Sequence, residues 1–147
     1  MERGWLVDSQ RGTGRTTRLI LRALHELLAQ CRPLDYSVKD LYLVLTVGDA
    51  ATWGRRAVDI MRCLVAGITV KQGPSGVYDI INLQGPWLRI HVVAPGQDRR
   101  GRLPSVLCID HAAEDELDSM PQEKGWGLLP IAYSHVVVRD PGRADGA

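Results

Sequence analysis

The chain has 147 residues, of which 45% are hydrophobic and 24% are charged, as in an ordinary globular protein. Its formal net charge of +1 argues against a basic field over the whole surface, so nothing global indicates a nucleic-acid-binding protein. No apolar run approaches the roughly 20 residues of a membrane span, and charged residues and glycines come too early for a signal peptide. We expect one domain over residues 1–140 with a polar tail over residues 141–147.

The three cysteines are widely separated in the sequence. Cys31, Cys63 and Cys108 lie in predicted helices or strands with an apolar face, and their spacing matches neither a disulfide framework nor a metal site. We therefore predict reduced cysteines in the core of a cytoplasmic protein.

The first half of the chain alternates strand and helix patterns. A short apolar run at residues 5–8 predicts a strand, and apolar residues at three- and four-residue spacing predict a helix from about Thr16 to Cys31. The nearly continuous apolar run over residues 41–47 predicts a strand covered on both faces, as in a parallel sheet. A second helix is predicted over residues 50–65, capped by Asp49.

The second half of the chain changes character. Residues 77–83 and 87–93 flank a Gln-Gly-Pro turn and predict an antiparallel hairpin. Residues 105–110 predict a buried strand, residues 111–120 a helix, and residues 133–138 a last strand. This order predicts an α/β fold with a mostly parallel sheet, flanking helices and a β-hairpin insertion.

A glycine-rich stretch separates the first predicted strand from the first predicted helix. It reads Ser9-Gln10-Arg11-Gly12-Thr13-Gly14-Arg15-Thr16-Thr17. Strand, glycine-rich loop and helix in this order are typical of a phosphate-binding loop, in which backbone N–H groups and the helix N-terminus hold phosphate oxygens. Thr16 stands where the usual motif places the hydroxyl that holds Mg²⁺. The alternative is a turn that only caps the helix.

This stretch departs from the usual pattern G-x-x-x-x-G-K-[ST] at two positions. Ser9 occupies the first glycine position and Arg15 occupies the lysine position. Arginine keeps the positive charge and can bind phosphate through two N–H groups, but its bulky planar head is not equivalent to an ammonium.

An acidic residue ends the predicted strand at 105–110. A carboxylate such as Asp110 at a strand tip suits Mg²⁺ that the Thr16 hydroxyl holds from the other side. Ligands of parallel sheets bind at the carboxyl ends of the strands, so we expect the glycine-rich loop and Asp110 to meet. His111 and Glu114 follow as candidate general bases, and the alternative for His111 is a helix-start residue without chemistry.

Two loops carry candidate contact residues. The loop with Arg99, Arg100 and Arg102 suits nucleic-acid phosphates or a neighbouring subunit's nucleotide, and the alternative is a solvated loop. Trp126 has a glycine on each side, which predicts an exposed side chain at a contact surface. Trp5 is interpreted as a core residue, with stacking on a base as the alternative.

The glycine-rich stretch resembles the R-x-x-G-K-T-T loop of phage terminase large-subunit ATPases and related helicase-like motors. In that family a hairpin precedes a second motif of apolar residues followed by D-E-A, and here residues 77–93 precede Ile109-Asp110-His111-Ala112-Ala113-Glu114. Residues 136–142 are similar to the strand that carries the family's coupling motif. The resemblance implies a P-loop NTPase core of phage origin that binds ATP and Mg²⁺ in DNA packaging or processing.

The chain departs from the family pattern at three places. Arg15 replaces the lysine, His111 replaces the glutamate that polarises the attacking water, and Arg139 or Asp140 replaces the hydroxyl of the coupling motif. We therefore predict ATP binding with weak or absent hydrolysis. The phosphate-binding candidates are Arg11, Gly12, Thr13, Gly14, Arg15, Thr16 and Thr17; the metal-binding candidates are Thr16 and Asp110; the catalytic candidates are Asp110, His111 and Glu114.

Two other functions stay open at this point. The first is a non-catalytic interaction protein in which the ATPase core is a scaffold for a host protein, a phage protein or nucleic acid. The second is a small nucleotide kinase with the loop at residues 99–102 as a lid. In each case we expect no membrane contact, a host-cell cytoplasmic location and self-association as a homo-oligomer.

Overall fold

A computed structural model describes residues 13–32, 34–35, 37–81 and 87–139. The predicted strand at residues 5–8, the hairpin turn and the polar tail lie outside these residues. Trp5, Arg11, Gly12 and Asp140 also lie outside them.

Six strands and three helices make up the described fold. The strands are β1 (Lys39–Val44), β2 (Thr69–Gln72), β3 (Val77–Ile81), β4 (Leu88–Val93), β5 (Val106–Ile109) and β6 (Val136–Val138). The helices are α1 (Thr13–Ala29), α2 (Val47–Leu64) and α3 (His111–Asp118). Short 3₁₀ turns follow α3, at Gln122–Lys124, Trp126–Leu128 and Ile131–Tyr133.

The strands form one mixed sheet in the order β2-β3-β4-β1-β5-β6. β1 is parallel to both of its neighbours, β4 and β5, and β6 is parallel to β5. β2, β3 and β4 pair antiparallel, which confirms the predicted hairpin and adds β2 as a third antiparallel strand. The predicted α/β class with a mostly parallel sheet is therefore confirmed, and the carboxyl ends of β4, β1, β5 and β6 lie at one edge.

Helices cover both faces of the sheet, because the central strands are apolar on both sides. Leu41 and Leu43 of β1 pack in a cluster with α1 and α2, whereas Tyr42 and Val44 pack in a second cluster with α3. Successive strand residues point to opposite faces, so α1 and α2 form one outer layer and α3 lies in the other. The prediction of a strand covered on both faces is confirmed for β1.

Helix α1 packs on the sheet through its apolar face. Five residues of this face are at most 5% exposed: Leu19, Ile20, Ala23, Leu24 and Leu27. Burying each leucine or isoleucine side chain of this size stabilises the fold by about 1.5–3 kcal/mol. The helix ends at Ala29, whose carbonyl oxygen accepts a hydrogen bond of 2.6 Å from Nη1 of Arg32.

Helix boundaries differ from the prediction by at most three residues. Helix α1 begins at Thr13, so Gly14 and Arg15 are helical. Helix α2 begins at Val47 after the N-cap residue Thr46, so the prediction of Asp49 as the cap was wrong. Asp49 lies in the first turn and its Oδ2 accepts a hydrogen bond of 2.8 Å from the Thr46 hydroxyl, which places its charge near the positive end of the helix dipole.

The cysteines occupy three different environments. All three are free; Cys108 is buried in β5, Cys31 is half-buried, and Cys63 is exposed on α2. The prediction of core cysteines was therefore wrong for Cys63, which lies on the solvent side of an amphipathic helix. None of the described helices is both long enough and apolar enough to span a membrane.

Candidate functional site

Asp110 is the buried acid at the carboxyl end of β5. It is the N-cap residue of α3, yet its carboxylate makes no capping hydrogen bond to that helix. Its Oδ1 instead accepts a hydrogen bond of 2.7 Å from the hydroxyl of Thr16, and the two residues are 2% and 3% exposed. An N-cap aspartate ordinarily bonds the N–H groups of its own helix, so the side chain has turned towards α1 instead.

Thr16 lies in the first turns of α1, against the end of β5. The positive end of the α1 dipole and the Asp110 carboxylate therefore lie close together. This contact confirms that the end of the glycine-rich stretch and Asp110 meet. The other described residues of the stretch, Thr13, Gly14, Arg15 and Thr17, belong to the same end of α1.

His111 directly follows Asp110 at the start of α3. Its Nδ1 lies 3.2 Å from Asp110 Oδ1, a contact that is an ion pair only when the imidazole is protonated. This contact does not have hydrogen-bond geometry, and among the described residues this buried nitrogen has no hydrogen-bond partner. The imidazole, 14% exposed, is therefore close to the Thr16–Asp110 contact.

Glu114 has a different environment from His111. Its carboxylate is fully buried and accepts hydrogen bonds of 2.8 Å and 3.2 Å from Nε and Nη2 of Arg139. Two parallel bonds of this kind are the strong form of the arginine–carboxylate pair. In the sequence, Arg139 is identifiable only as a departure from the coupling motif. Its contact with Glu114 is not predictable from the sequence, because it forms only when α3 and the end of β6 lie side by side in the fold.

Trp126 packs beside this ion pair. The Arg139 guanidinium lies over its ring at 4.9 Å from the centroid, and its Nε1 donates a hydrogen bond of 2.8 Å to Asp118. Trp126 is half-buried against the α3 cluster, so the prediction of an exposed tryptophan at a contact surface was wrong. The packing of the 3₁₀ turn on α3, which no local pattern encodes, covers the ring.

The arginine loop does not form one charged cluster. Arg99 is half-buried and lies 5.6 Å from the centroid of the Tyr42 ring, and Arg100 pairs with Asp98 at 2.8 Å. Arg102 is exposed. Because Arg100 is neutralised by its neighbour and Arg99 packs on a ring, the loop offers less free positive charge than its sequence suggests.

The two oxygen atoms at the Thr16–Asp110 contact are suitable ligands for a magnesium ion. Hydroxyl and carboxylate oxygens are ligands that Mg²⁺ takes, and this ion commonly retains several waters and uses only one or two protein carboxylates beside substrate phosphates. Among the described residues no group of three or more His, Cys, Asp and Glu is arranged to hold a metal.

Charge is divided between the two outer layers. Five exposed arginines lie on α1 and α2: Arg18, Arg22, Arg55, Arg56 and Arg62. Of these, Arg62 lies 3.7 Å from the exposed Asp59, and Arg56 packs over the Trp53 ring at 5.1 Å. Four exposed acids lie on α3 and the turn after it: Asp115, Glu116, Asp118 and Glu123. The net charge of +1 therefore conceals a basic layer and an acidic layer on opposite sides of the sheet.

A cleft of about 550 Å³ opens at the other edge of the sheet, near the amino ends of the parallel strands. Its polar lining includes Arg32, Asp35, Lys39 and His135, and Lys39 pairs with Asp35 at 3.0 Å. No local sequence pattern indicates this cleft, because one wall comes from residues 30–39 and the other from residues 103–135.

The fold and the site define an α/β protein in which the N-terminus of a helix meets an acid at the carboxyl edge of a mixed sheet. Comparisons of the chain with protein-family models, with curated proteins and with solved structures find no match. The residues of the site are therefore the basis for any function assigned to this chain.

Proposed function

We propose that this protein binds a nucleoside triphosphate, ATP by preference, together with Mg²⁺ at the carboxyl edge of its sheet. The observation that carries the proposal is the buried hydrogen bond of 2.7 Å between Thr16 and Asp110. A P-loop site needs a hydroxyl from the helix N-terminus and an acid from a strand tip on either side of one metal ion. This pair supplies both groups at adjoining positions.

Each part of the site has a separate role in this proposal. Thr16 and Asp110 hold the metal ion, directly or through its waters, and the bound ion neutralises phosphate charge. Backbone N–H groups between Arg11 and Thr17 and the dipole of α1 hold phosphate oxygens. Arg15 adds a guanidinium, which suits two phosphate oxygens at once.

Hydrolysis is weak or absent in this proposal. The carboxylate of Glu114 is engaged by Arg139 and fully buried, so it does not face an attacking water in the described structure. His111 is the better-placed base, because its imidazole lies next to Asp110 and is partly exposed. A terminase-like role in phage DNA packaging or processing is part of the same proposal and rests on the sequence resemblance alone. The nucleotide-kinase alternative has no added support.

Titration calorimetry with ATP and with a non-hydrolysable analogue, each with and without Mg²⁺, tests the proposal. We expect binding that Mg²⁺ strengthens, and we expect Asp110→Asn to remove most of the metal dependence because the carbonyl of asparagine is a weaker ligand than a carboxylate. Gly14→Val should abolish binding, since a branched side chain replaces a hydrogen where the backbone approaches phosphate. Unchanged affinity in Gly14→Val would reject this site.

A second candidate function, a polyanion-binding interaction protein, is favoured by the charge division. Exposed arginines such as Arg18, Arg22, Arg55 and Arg56 lie on the outer layer of α1 and α2, and arginine is well suited to phosphate oxygens. The net charge of +1 is compatible with this function, because the basic and acidic residues lie on opposite faces of the sheet. A partner of this layer would be a nucleic-acid backbone, read without base specificity.

A gel shift with duplex DNA over a series of salt concentrations tests this second function. If the α1–α2 layer binds DNA, the double variant Arg55→Gln/Arg56→Gln should weaken binding and make the salt dependence shallower, by about 0.9 in the log–log slope for each lost phosphate contact. The matched variant Lys124→Gln, on the acidic side, should leave the shift unchanged. No shift at low salt would reject the function.

A further inference from the structure

The Glu114–Arg139 ion pair lies at the same sheet edge as the Thr16–Asp110 contact. Val138 pairs with Cys108 across β6 and β5, so Arg139 lies opposite Ile109, the residue before Asp110. Neighbouring strands are about 4.8 Å apart, which brings the Arg139 backbone close to the metal-binding acid. A guanidinium and a candidate metal site therefore share one short stretch of the edge.

The contacts of the Arg139 guanidinium include one carboxylate and one aromatic ring. Glu114 binds it through two hydrogen bonds, and the Trp126 ring covers it at 4.9 Å. The Arg139 side chain is nevertheless 28% exposed, while the Glu114 carboxylate is fully buried. Solvent and ligands can thus reach the arginine without first reaching the glutamate.

Resting on the nucleotide-binding function above, we propose that Arg139 exchanges partners when a nucleoside triphosphate binds. The guanidinium leaves Glu114 and the Trp126 ring and binds the terminal phosphate. A phosphate offers the same two-oxygen geometry as a carboxylate and carries more charge, so it competes well for a guanidinium. Arg139 then makes the site selective for triphosphate over diphosphate, and the ion pair regulates whether the Glu114 carboxylate is available.

Glu114 and Arg139 should have opposite effects on triphosphate binding. Glu114 competes with the nucleotide for Arg139, because removing a guanidinium from a buried carboxylate is costly. Weakening this competitor therefore strengthens triphosphate binding, whereas removing the arginine weakens it. A purely structural ion pair predicts a different result, since loss of either partner would then destabilise the fold and neither change would improve binding.

Affinities of two variants for a non-hydrolysable ATP analogue and for ADP, each with Mg²⁺, test the exchange. We expect Glu114→Gln to bind the analogue roughly tenfold more tightly and Arg139→Gln to bind it roughly tenfold less tightly, as one charge-assisted hydrogen bond implies. ADP affinity should change little in both variants, because ADP lacks the terminal phosphate. Thermal melts identify folded variants, and Glu114→Asp and Arg139→Lys replace either glutamine variant that does not fold.

Trp126 provides a second readout that does not depend on affinity. In a protein with Trp5, Trp53 and Trp87 changed to phenylalanine, emission comes from Trp126 alone. The ATP analogue should change this emission as the guanidinium leaves the ring, and ADP should not. The same protein with Arg139→Gln should show no change with either nucleotide.

The outcomes separate this inference from the proposed function. If the wild-type protein binds neither nucleotide, both the function and the exchange are rejected. If it binds the analogue but both variants weaken binding, or Trp126 emission does not change, the exchange alone is rejected and the ion pair is structural. Opposite effects on affinity together with a triphosphate-specific emission change would establish the exchange.

Discussion

The hydroxyl of Thr16 donates a hydrogen bond of 2.7 Å to Asp110, a residue 94 positions further along the chain. Both side chains are almost completely buried, so the bond joins the N-terminus of α1 to the carboxyl end of β5 in a region that water does not screen. The contact supplies a hydrogen-bond donor to a buried carboxylate, and in the proposed function the same two oxygens bind the metal ion.

Replacing the Thr16 hydroxyl should affect stability and binding together. Thr16→Val keeps the shape of the side chain but leaves Asp110 without this donor, so we expect a loss of about 1–3 kcal/mol in the free energy of unfolding. Mg²⁺-dependent nucleotide binding should also be lost. Chemical denaturation and calorimetry measure the two effects, and Thr16→Ser, which keeps the hydroxyl, should preserve both. A Thr16→Val protein as stable as wild type would show that the hydrogen bond contributes little.

Two glycines of α2 should respond oppositely to alanine. A Cβ added at Gly48 would have no atom within 4 Å. Gly48→Ala should therefore raise the free energy of unfolding by up to about 1 kcal/mol, because alanine has the higher helix propensity. Gly54 is buried, and its Cβ would lie 2.9 Å from Cγ2 of Val92 and 3.4 Å from the Tyr78 ring. We therefore expect Gly54→Ala to lower stability, by about 1–3 kcal/mol. Equal effects in urea denaturation would contradict the close packing of α2 on β4.

The three thiols should react at three different rates with an aromatic disulfide reagent. Cys63 is exposed and should react first, and Cys31 should react slowly because partial burial raises its pKa. Burial, with a smaller effect from the Asp110 charge, raises the pKa of Cys108 so far that it should react only on unfolding. Absorbance at neutral pH follows the phases, and Cys63→Ser should remove only the fast one. Rapid reaction of all three thiols would contradict the packing around β5.

Acid should remove a stabilising contribution from the Asp98–Arg100 pair. Hydrogen bonds from the Arg100 side chain, and then from its backbone N–H, lower the pKa of Asp98 from 3.8 to about 2. A depressed folded-state pKa contributes stability that is present above pH 3.8 and is lost as the pH falls through about 2. The melting temperature should therefore fall less steeply over this range in Asp98→Asn and in Arg100→Gln. Salt should reduce the difference in melting temperature between the variants and wild type, because both side chains are exposed. If the variants and wild type have identical pH profiles at low salt, the Asp98–Arg100 pair does not contribute to stability.

Much of the fold follows from patterns that a few neighbouring residues carry. The helical spacing of apolar residues such as Leu19, Leu24 and Leu27 predicts α1, and the apolar run of β1 predicts a strand buried on both faces. The turn residues before Trp87 predict the hairpin. Asp110 was predicted as a site residue because an acid directly after a buried strand stands at the ligand-binding edge of a parallel sheet.

What the sequence by itself determined is therefore the type and order of the described helices and of the described strands other than β2, and the two ends of the Thr16–Asp110 contact. Only the tertiary structure decided that Glu114 is buried and paired with Arg139, that the Trp126 ring is covered and that Cys63 faces solvent. The physical reason is the distance along the chain over which each kind of interaction acts. Periodicity and turn chemistry act within one or two turns of chain, whereas a buried ion pair depends on which strand lies beside which, and that order is set by the packing of the whole sheet.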